Sequence, residues 1–263
     1  FGGFGGAPKF PMPVNQNFLL RYFARSGESG ALAMVQTTLL EMAKGGIYDH
    51  VGGGFARYSV DGEWRVPHFE KMLYDNAQLA VNYLEAYSAG KDAELARVAR
   101  ETLDYVLRDM TQPEGGFFSA EDADSLPHDV AGEAGARHAE KSEGAFYLWT
   151  REEIDSALGA DAEIFAFRYG VRPDGNALAD PQGEFSGKNI LFAEHSLAET
   201  AKKFAKSAGQ ARRLLDGARE KLISVRAGRP RPSRDDKVLA SWNGLMISAF
   251  AKGAPILEAP EYL

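Results

Sequence analysis

Residues 45–76 read GGIYDHVGGGFARYSVDGEWRVPHFEKMLYDN. Connections between elements are ordinarily about 4–6 residues, and longer ones are either functional or disordered. Aromatic and β-branched residues are frequent here, which argues against disorder. The pair Gly45-Gly46 and the triplet Gly52–Gly54 suit a backbone that turns sharply or admits a close approach. The stretch therefore reads as a built loop that carries Asp49, His50, Arg57, Tyr58, Trp64, His68, Glu70, Asp75 and Asn76 to one place.

Working outward, both flanks are helical. Before the loop, Leu32, Val35, Leu39 and Met42 share one face of a helix over 29–44, stopped by Gly45-Gly46. Earlier still, Phe18, Leu19, Tyr22 and Phe23 form a stripe on a helix beginning near Asn17. After the loop, helices are expected from about Phe69 to Ser88, ended by Gly90, and from Ala93 to Met110, ended before Pro113. The order is helix, short turn, helix, long decorated loop, so the decorated loops gather at one end of a bundle. The next such loop, EGGFFSAEDADS at 114–125, also opens on Gly-Gly and then aromatic residues. This is a weak internal repeat with a period of about 70 residues.

Residues 126–142 read as a polar, mobile connection, and 143–149 (EGAFYLW) as a short strand. Thr150 with Glu153, and Ser196 with Glu199, are capping boxes that open helices. Further helices fit Ala162–Tyr169 and Gln210–Val225, a short strand fits Ile190–Phe192, and Val238–Lys252 reads as a buried helix. The Gly/Pro-rich start carries Phe1, Phe4 and Phe10 and is expected to pack against the body.

A chain of 263 residues that is 44% hydrophobic can bury a core of useful size. A formal charge of −7 argues against a nucleic-acid surface, which needs a basic patch. The absence of cysteine removes disulfides, thiolate metal sites and CxxC redox chemistry, and is compatible with cytoplasm. No apolar run approaches the ~18 residues of a membrane span, and no basic-then-apolar leader opens the chain. The ends read as cut: there is no initiating Met, and the chain stops just after an apolar segment.

Five stretches together resemble one family: residues 45–76, the opening GGFGGAPKFP, GGFFSAEDADS at 115–125, EGAFYLWT at 143–150, and DDKVLASWNGL at 235–245. The chain is similar to the spermatogenesis-associated, thioredoxin-domain-containing family, whose bacterial members are called YyaL-type. The resemblance implies a thioredoxin-like domain followed by an all-α, six-hairpin glycosidase-like (α/α)6 toroid, akin to N-acylglucosamine 2-epimerase. Residues 1–263 would then be a partial toroid domain with short β-hairpins in the loops at one end. The thioredoxin-like domain would be its partner within the full-length chain.

Weighed as chemistry, His68 and Glu70 could form a general acid/base pair, since histidine titrates near neutrality. The alternative is a carboxylate favoured by the helix dipole beside a loop-bonded histidine. Asn76 interrupts an apolar stripe and needs a partner, either a substrate hydroxyl or a neighbouring loop. Asp49, His50, Arg57 and Tyr58 line a sugar or anion pocket, or Asp49 and Arg57 form a buried pair fixing the loop. Glu121, Asp122 and Asp124 offer the paired carboxylates of glycoside hydrolysis, a hard-cation site, or a solvated turn. Trp64 and Trp242 could stack on a sugar ring, with Asn243 beside the second, whereas Trp149 reads as core. Asp235 and Asp236 would cap the last helix with an ion pair to Lys237, or add a third cluster at the cavity mouth.

The expectation is a carbohydrate-active enzyme, glycoside hydrolase-like or sugar epimerase-like. His68, Glu70, Asp75, Asp122 and Asp124 are its candidate catalytic residues. Asp49, His50, Arg57, Tyr58, Trp64, Asn76, Glu121, Asp236, Trp242 and Asn243 are candidates for substrate binding. No cofactor or metal is required. The competing expectation is a non-catalytic scaffold attached to the thioredoxin-like domain. A facing His50–His68 pair would favour epimerisation.

Overall fold

The computed structural model describes residues 1–128, 140–177 and 185–263. Its helices are α1 (Pro13–Ser26), α2 (Ser29–Lys44), α3 (Leu73–Gly90), α4 (Ala93–Tyr105), α5 (Arg151–Leu158), α6 (Ala162–Tyr169), α7 (Leu197–Lys203), α8 (Ala208–Arg226) and α9 (Ala240–Ile256). Two-residue strands decorate the loops: β1 (Tyr58–Ser59), β2 (Pro67–His68), β3 (Lys71–Met72), β4 (Ala120–Glu121), β5 (Asp124–Ser125), β6 (Ser142–Glu143) and β7 (Arg234–Asp235). β1 pairs with β2, β5 with β6, and β3-β4-β7 form a three-stranded sheet, all antiparallel.

Helix α3 is the hub. It packs between α1 and α9 in one layer, with α2 and α4 in the layer behind. This is the layered hairpin arrangement of an α/α toroid. The first core joins Leu39 and Met42 of α2, Leu79 and Tyr83 of α3, Leu95 and Leu103 of α4, and Met246 and Phe250 of α9. Helices α5–α8 enclose a second core around Trp149, Ile154, Phe165, Leu215 and Leu222. A third, smaller core lies among the loops, around Phe69, Phe146, Tyr147 and Phe185.

Local chemistry sets the helix ends. The boxes at Thr150 and Ser196 form as the sequence implies. A third box, Ser207 with Gln210, starts α8 two residues ahead of the Gln210 start read from the sequence. The expected α2 matches residue for residue, and Gly45 N–H closes its last turn on Glu41 and Met42 carbonyls.

A loop clamp recurs in three dimensions, but at Gly53-Gly54 and Gly115-Gly116 and without the expected period of about 70 residues. Asn76 in α3 accepts a hydrogen bond from Phe55 N–H (2.8 Å) and donates to Phe55 C=O (3.1 Å) and Met72 C=O (3.0 Å). Asn243 in α9 treats Phe117 N–H (2.8 Å), Phe117 C=O (3.1 Å) and Leu239 C=O (3.2 Å) in the same way. Each amide therefore clamps the backbone just after a Gly-Gly turn onto the first turn of the following layer helix. Glycine is required at Gly53 and Gly54, where φ is +78°. A Cβ there would also fall 2.3 Å from Glu101 C=O and 2.5 Å from the Tyr105 ring, respectively.

Several expectations are corrected. Pro67-His68-Phe69-Glu70 does not begin a helix: Pro67–His68 is strand β2, Lys71–Met72 is β3, and α3 starts at Leu73. Asp75 and Asn76 thus lie in its first turn, and Glu70 has no helix dipole to serve. Phe18 and Tyr22 of α1 are exposed, while Gln16 and Leu20 are the residues it buries. A π-helical turn over Val106–Met110 follows α4 and leaves Leu107 exposed while burying Asp109 and Met110. Helix α9 is apolar but only one face of it is buried, leaving Leu245 and Ile247 exposed. Residues 144–148 turn where a strand was expected, and Ile190–Phe192 forms none. Most of the polar connection at 126–142 lies outside the described residues.

Candidate functional site

Three layer helices, α1, α3 and α9, bring their first turns to the decorated end. The pairing of β1 with β2 sets Tyr58 opposite His68, and their rings stack at 4.9 Å. Phe10, just before α1, stacks on Tyr58 at 4.8 Å. The β3-β4-β7 sheet ties the start of α3 to the segment before α9, and Tyr74 meets Trp242 edge-on at 4.7 Å. Loops far apart in the chain thus bring these rings to one end of the bundle, and we call this cluster the cleft.

His68 lies at the centre of that cluster, between two glutamates. Its Nδ1 lies 2.8 Å from Glu143 Oε1, and its Nε2 lies 4.0 Å from Glu70 Oε2. Arg57 NH1 donates to the same Glu70 oxygen at 3.1 Å. The Glu143 hydrogen bond, working against burial, raises the pKa of His68 above its ordinary value. Burial works to raise Glu143, but the His68 bond and charge and the Phe69 N–H hold it below the usual carboxylate value. Burial and the Asp122 and Glu143 charges push Asp124 up.

The pair's contribution to stability follows from these directions. His68 contributes fully below about pH 6.5, and Glu143 contributes above about pH 4.3, so the pair is strongest between those values. Glu143→Gln is therefore expected to lower the His68 pKa towards 6.5 or below, read by NMR titration of the imidazole. An unmoved titration would remove Glu143 as its partner.

Asp75, in the first turn of α3, has a different character. Its Oδ2 is buried without a hydrogen-bond partner. A helix N-terminus normally favours the carboxylate anion. Here burial wins: with Arg57 and Tyr74 offsetting it only in part, the pKa rises from 3.8 to about 7.

Beneath the cleft runs a buried ionic network. Asp49 accepts from both terminal nitrogens of Arg226 (2.9 and 2.8 Å), from Lys71 Nζ (2.9 Å), and from Val51 and Gly52 N–H. Burial works to raise its pKa, but Arg226 and Lys71 hold it well below the carboxylate range. Lys71 also donates to Gly53 C=O (2.9 Å) and sits over the Tyr105 and Tyr147 rings. Glu121 is occupied by Tyr105 OH (3.0 Å), Tyr147 OH (3.3 Å) and Arg231 (2.9 Å).

The candidates therefore divide. His68, Glu70, Asp75, Arg57, Tyr58 and Trp242 gather at the cleft, with Asp124 near Glu143. Asp122 is half-buried and lies 3.8 Å from Lys141. Asp49 does join a buried aspartate–arginine pair, but with Arg226 instead of Arg57. Asn76 and Asn243 are spent on loop clamps. Trp64 is fully buried, its indole N–H given to Phe1 C=O, so no face is free for a sugar. Trp149 is core, as expected. Asp235 pairs with Lys237, Asp236 is exposed, and neither caps α9, whose N-cap is Leu239.

His50 and His68 do not face one another. His50 is buried, bonded to Gly45 C=O and packed against Tyr48 and Tyr169; burial and the Arg168 charge lower its pKa to about 4. Among the described residues, no three acidic or imidazole groups converge as a metal site needs. Glu143, Tyr74, Lys71 and Arg226 were not singled out in the sequence. Glu143 lies 75 residues from its histidine, and no local spacing could reveal that contact.

No family model matches the chain. Spermatogenesis-associated protein 20 of Homo sapiens is 44% identical over 273 aligned positions, covering 98% of this chain and 34% of that protein. The Mus musculus protein of the same name is 44% identical, covering 95% and 33%. An uncharacterized protein of Caenorhabditis elegans is 38% identical, covering 100% and 37%. Two solved structures are similar at lower levels. A sugar epimerase from a ruminal bacterium has TM-score 0.41 and 14% identity, covering 99% of this chain and 78% of that one. A family 76 glycoside hydrolase from a bovine Bacteroides thetaiotaomicron strain has TM-score 0.42 and 12% identity, covering 97% and 45%. No helix among the described residues is long and apolar enough to cross a membrane. The chain spans about a third of the length of the curated relatives it matches, and over that third it is homologous to spermatogenesis-associated protein 20.

Proposed function

We propose that the cleft at the first turns of α1, α3 and α9 is the acid–base site of a carbohydrate-active enzyme, hydrolase-like or epimerase-like. The observation that carries this reading is Asp75: a buried carboxyl with an unpartnered oxygen and a pKa of about 7, so that it can give or take a proton at neutrality. His68, held by Glu143, and Glu70, held by Arg57, supply an imidazole whose pKa is raised and a second carboxyl group nearby. Tyr74 and Trp242 supply an aromatic edge suited to the apolar face of a sugar ring. Asp122 and Asp124 stand at the Glu143 side as further carboxylates. We read residues 1–263 as part of a toroid that works beside a thioredoxin-like domain in the cytoplasm.

The test is a panel of mono- and disaccharides against the full chain. The reading predicts a saturable rise in Tm with at least one sugar, since specific binding stabilises the folded state. The rise should be lost in Trp242→Ala. Chromatography of the incubated sugar then separates hydrolysis, which yields a new reducing end, from epimerisation, which does not. No sugar-dependent shift in a normally folded protein would favour the scaffold reading, for which the greater length of the relatives supplies the partner.

A further inference from the structure

A second cavity, about 370 Å³, opens between α2, α4, α6 and α8 and shares none of the cleft's acid–base residues. We propose that it binds a small oxyanion, a phosphoryl or carboxylate group, through the guanidinium groups of Arg168 and Arg212.

Four arginines, Arg97, Arg168, Arg212 and Arg219, line the cavity together with Lys44, which is paired with Glu41. Two of the arginines are spent. Arg97 bonds both Glu94 and Glu101, and Arg219 bonds Glu101 and, at 2.7 Å, Val51 C=O. Arg168 donates only to a neutral group, His195 C=O, and lies over the Tyr169 ring. Among the described residues Arg212 has no hydrogen-bonded or ion-paired carboxylate, although its charge acts on Glu94.

The remaining acids on the wall are committed or solvated. Glu194 bonds Arg172 at 2.5 Å, Glu199 accepts from Ser196 N–H at the start of α7, and Asp216 is exposed. His50 stays neutral at pH 7 and adds no charge, but its protonation is opposed by Arg168 and Arg97. Burial, with the like charges of Arg97 and Arg212, also depresses Arg168 despite Tyr169 and Glu94 nearby. Burial is the first cause of both shifts, and what the cavity offers is two guanidinium groups without a bonded carboxylate among the described residues. An oxyanion meeting both free guanidiniums would form charge-assisted, fork-shaped hydrogen bonds.

The experiment is calorimetric titration of the full chain with inorganic phosphate and, separately, acetate, at an ionic strength fixed with chloride. The proposal expects saturable one-site binding of at least one of them above the chloride background. Binding by phosphate assigns a phosphoryl group, and binding by acetate alone assigns a carboxylate. Affinity should fall about tenfold or more in Arg168→Gln and in Arg212→Gln. Arg212 is exposed at the rim, so its variant decides the matter even if Arg168→Gln folds poorly. No binding above chloride, or binding undiminished in Arg212→Gln, would overturn the proposal.

Discussion

Asp49→Ala is expected to lower the unfolding free energy by about 3–5 kcal/mol, because removing one partner of a buried pair strands the other charge. Arg226 and Lys71 would both be stranded, with side chains only 7% and 3% exposed. The same aspartate also holds the Val51 and Gly52 amides, so the turn that presents Gly53 and Gly54 loosens with it. Urea denaturation reads the effect as a lower midpoint at unchanged slope. The depressed pKa gives the pH dependence: Asp49's contribution is present above about pH 3.9 and is lost as pH falls through its folded-state value. A double replacement, Asp49→Leu with Arg226→Met, should recover part of the loss by removing both charges, although Lys71 remains. A loss under about 1 kcal/mol for Asp49→Ala would mean that the network is solvated.

Asp75→Asn is expected to act in the opposite direction on stability and to abolish turnover. A carboxyl whose folded pKa lies above its unfolded value binds the proton more tightly when folded. Stability therefore falls as pH rises from about 4 to about 7, and the lost stability is not regained above that range. At pH 7.5 and above, an uncharged amide of the same shape should stabilise the protein by roughly 2–4 kcal/mol. Near pH 4, where Asp75 is already neutral, the variant should differ little from the parent. A stabilising substitution that destroys activity is the signature of a strained functional group. Equal stability of the two proteins at pH 7.5 would show that Asp75 is ordinarily ionised.

The helical frame was legible because its signals are local. The apolar face of α2, the Thr150 and Ser196 boxes and Gly45-Gly46 each act within one or two turns of the residues they govern. Gly-Gly before aromatic residues was visible at 45 and 115, whereas the clamps that recur lie at Gly53-Gly54 and Gly115-Gly116. Asn76 and Asn243 looked like site residues because most of their partners are not local. Besides Met72 and Leu239, each four residues back, they bond backbone groups 21 and 126 residues away.

Pro67 misled for a related reason. A proline before an amphipathic run suits a helix start, yet strand pairing with Tyr58–Ser59 and Ala120–Glu121 holds 67–72 extended until Leu73. The candidate cluster was legible as residue types in one loop, and His68, Glu70 and Asp75 were named from it as candidates. Which acid partners which base was not, because Glu143 and Arg226 come from other loops. Long-range ion pairs leave no periodicity in a sequence.

The central claim is that Asp75 carries a proton near neutrality at the cleft. Its carboxyl carbon can be followed directly by NMR across pH 3–9 in the full chain, with Asp75→Asn identifying the resonance. The account predicts a midpoint near 7, displaced by a bound sugar. A midpoint near the ordinary aspartate value of about 3.9, unmoved by any sugar, would contradict it.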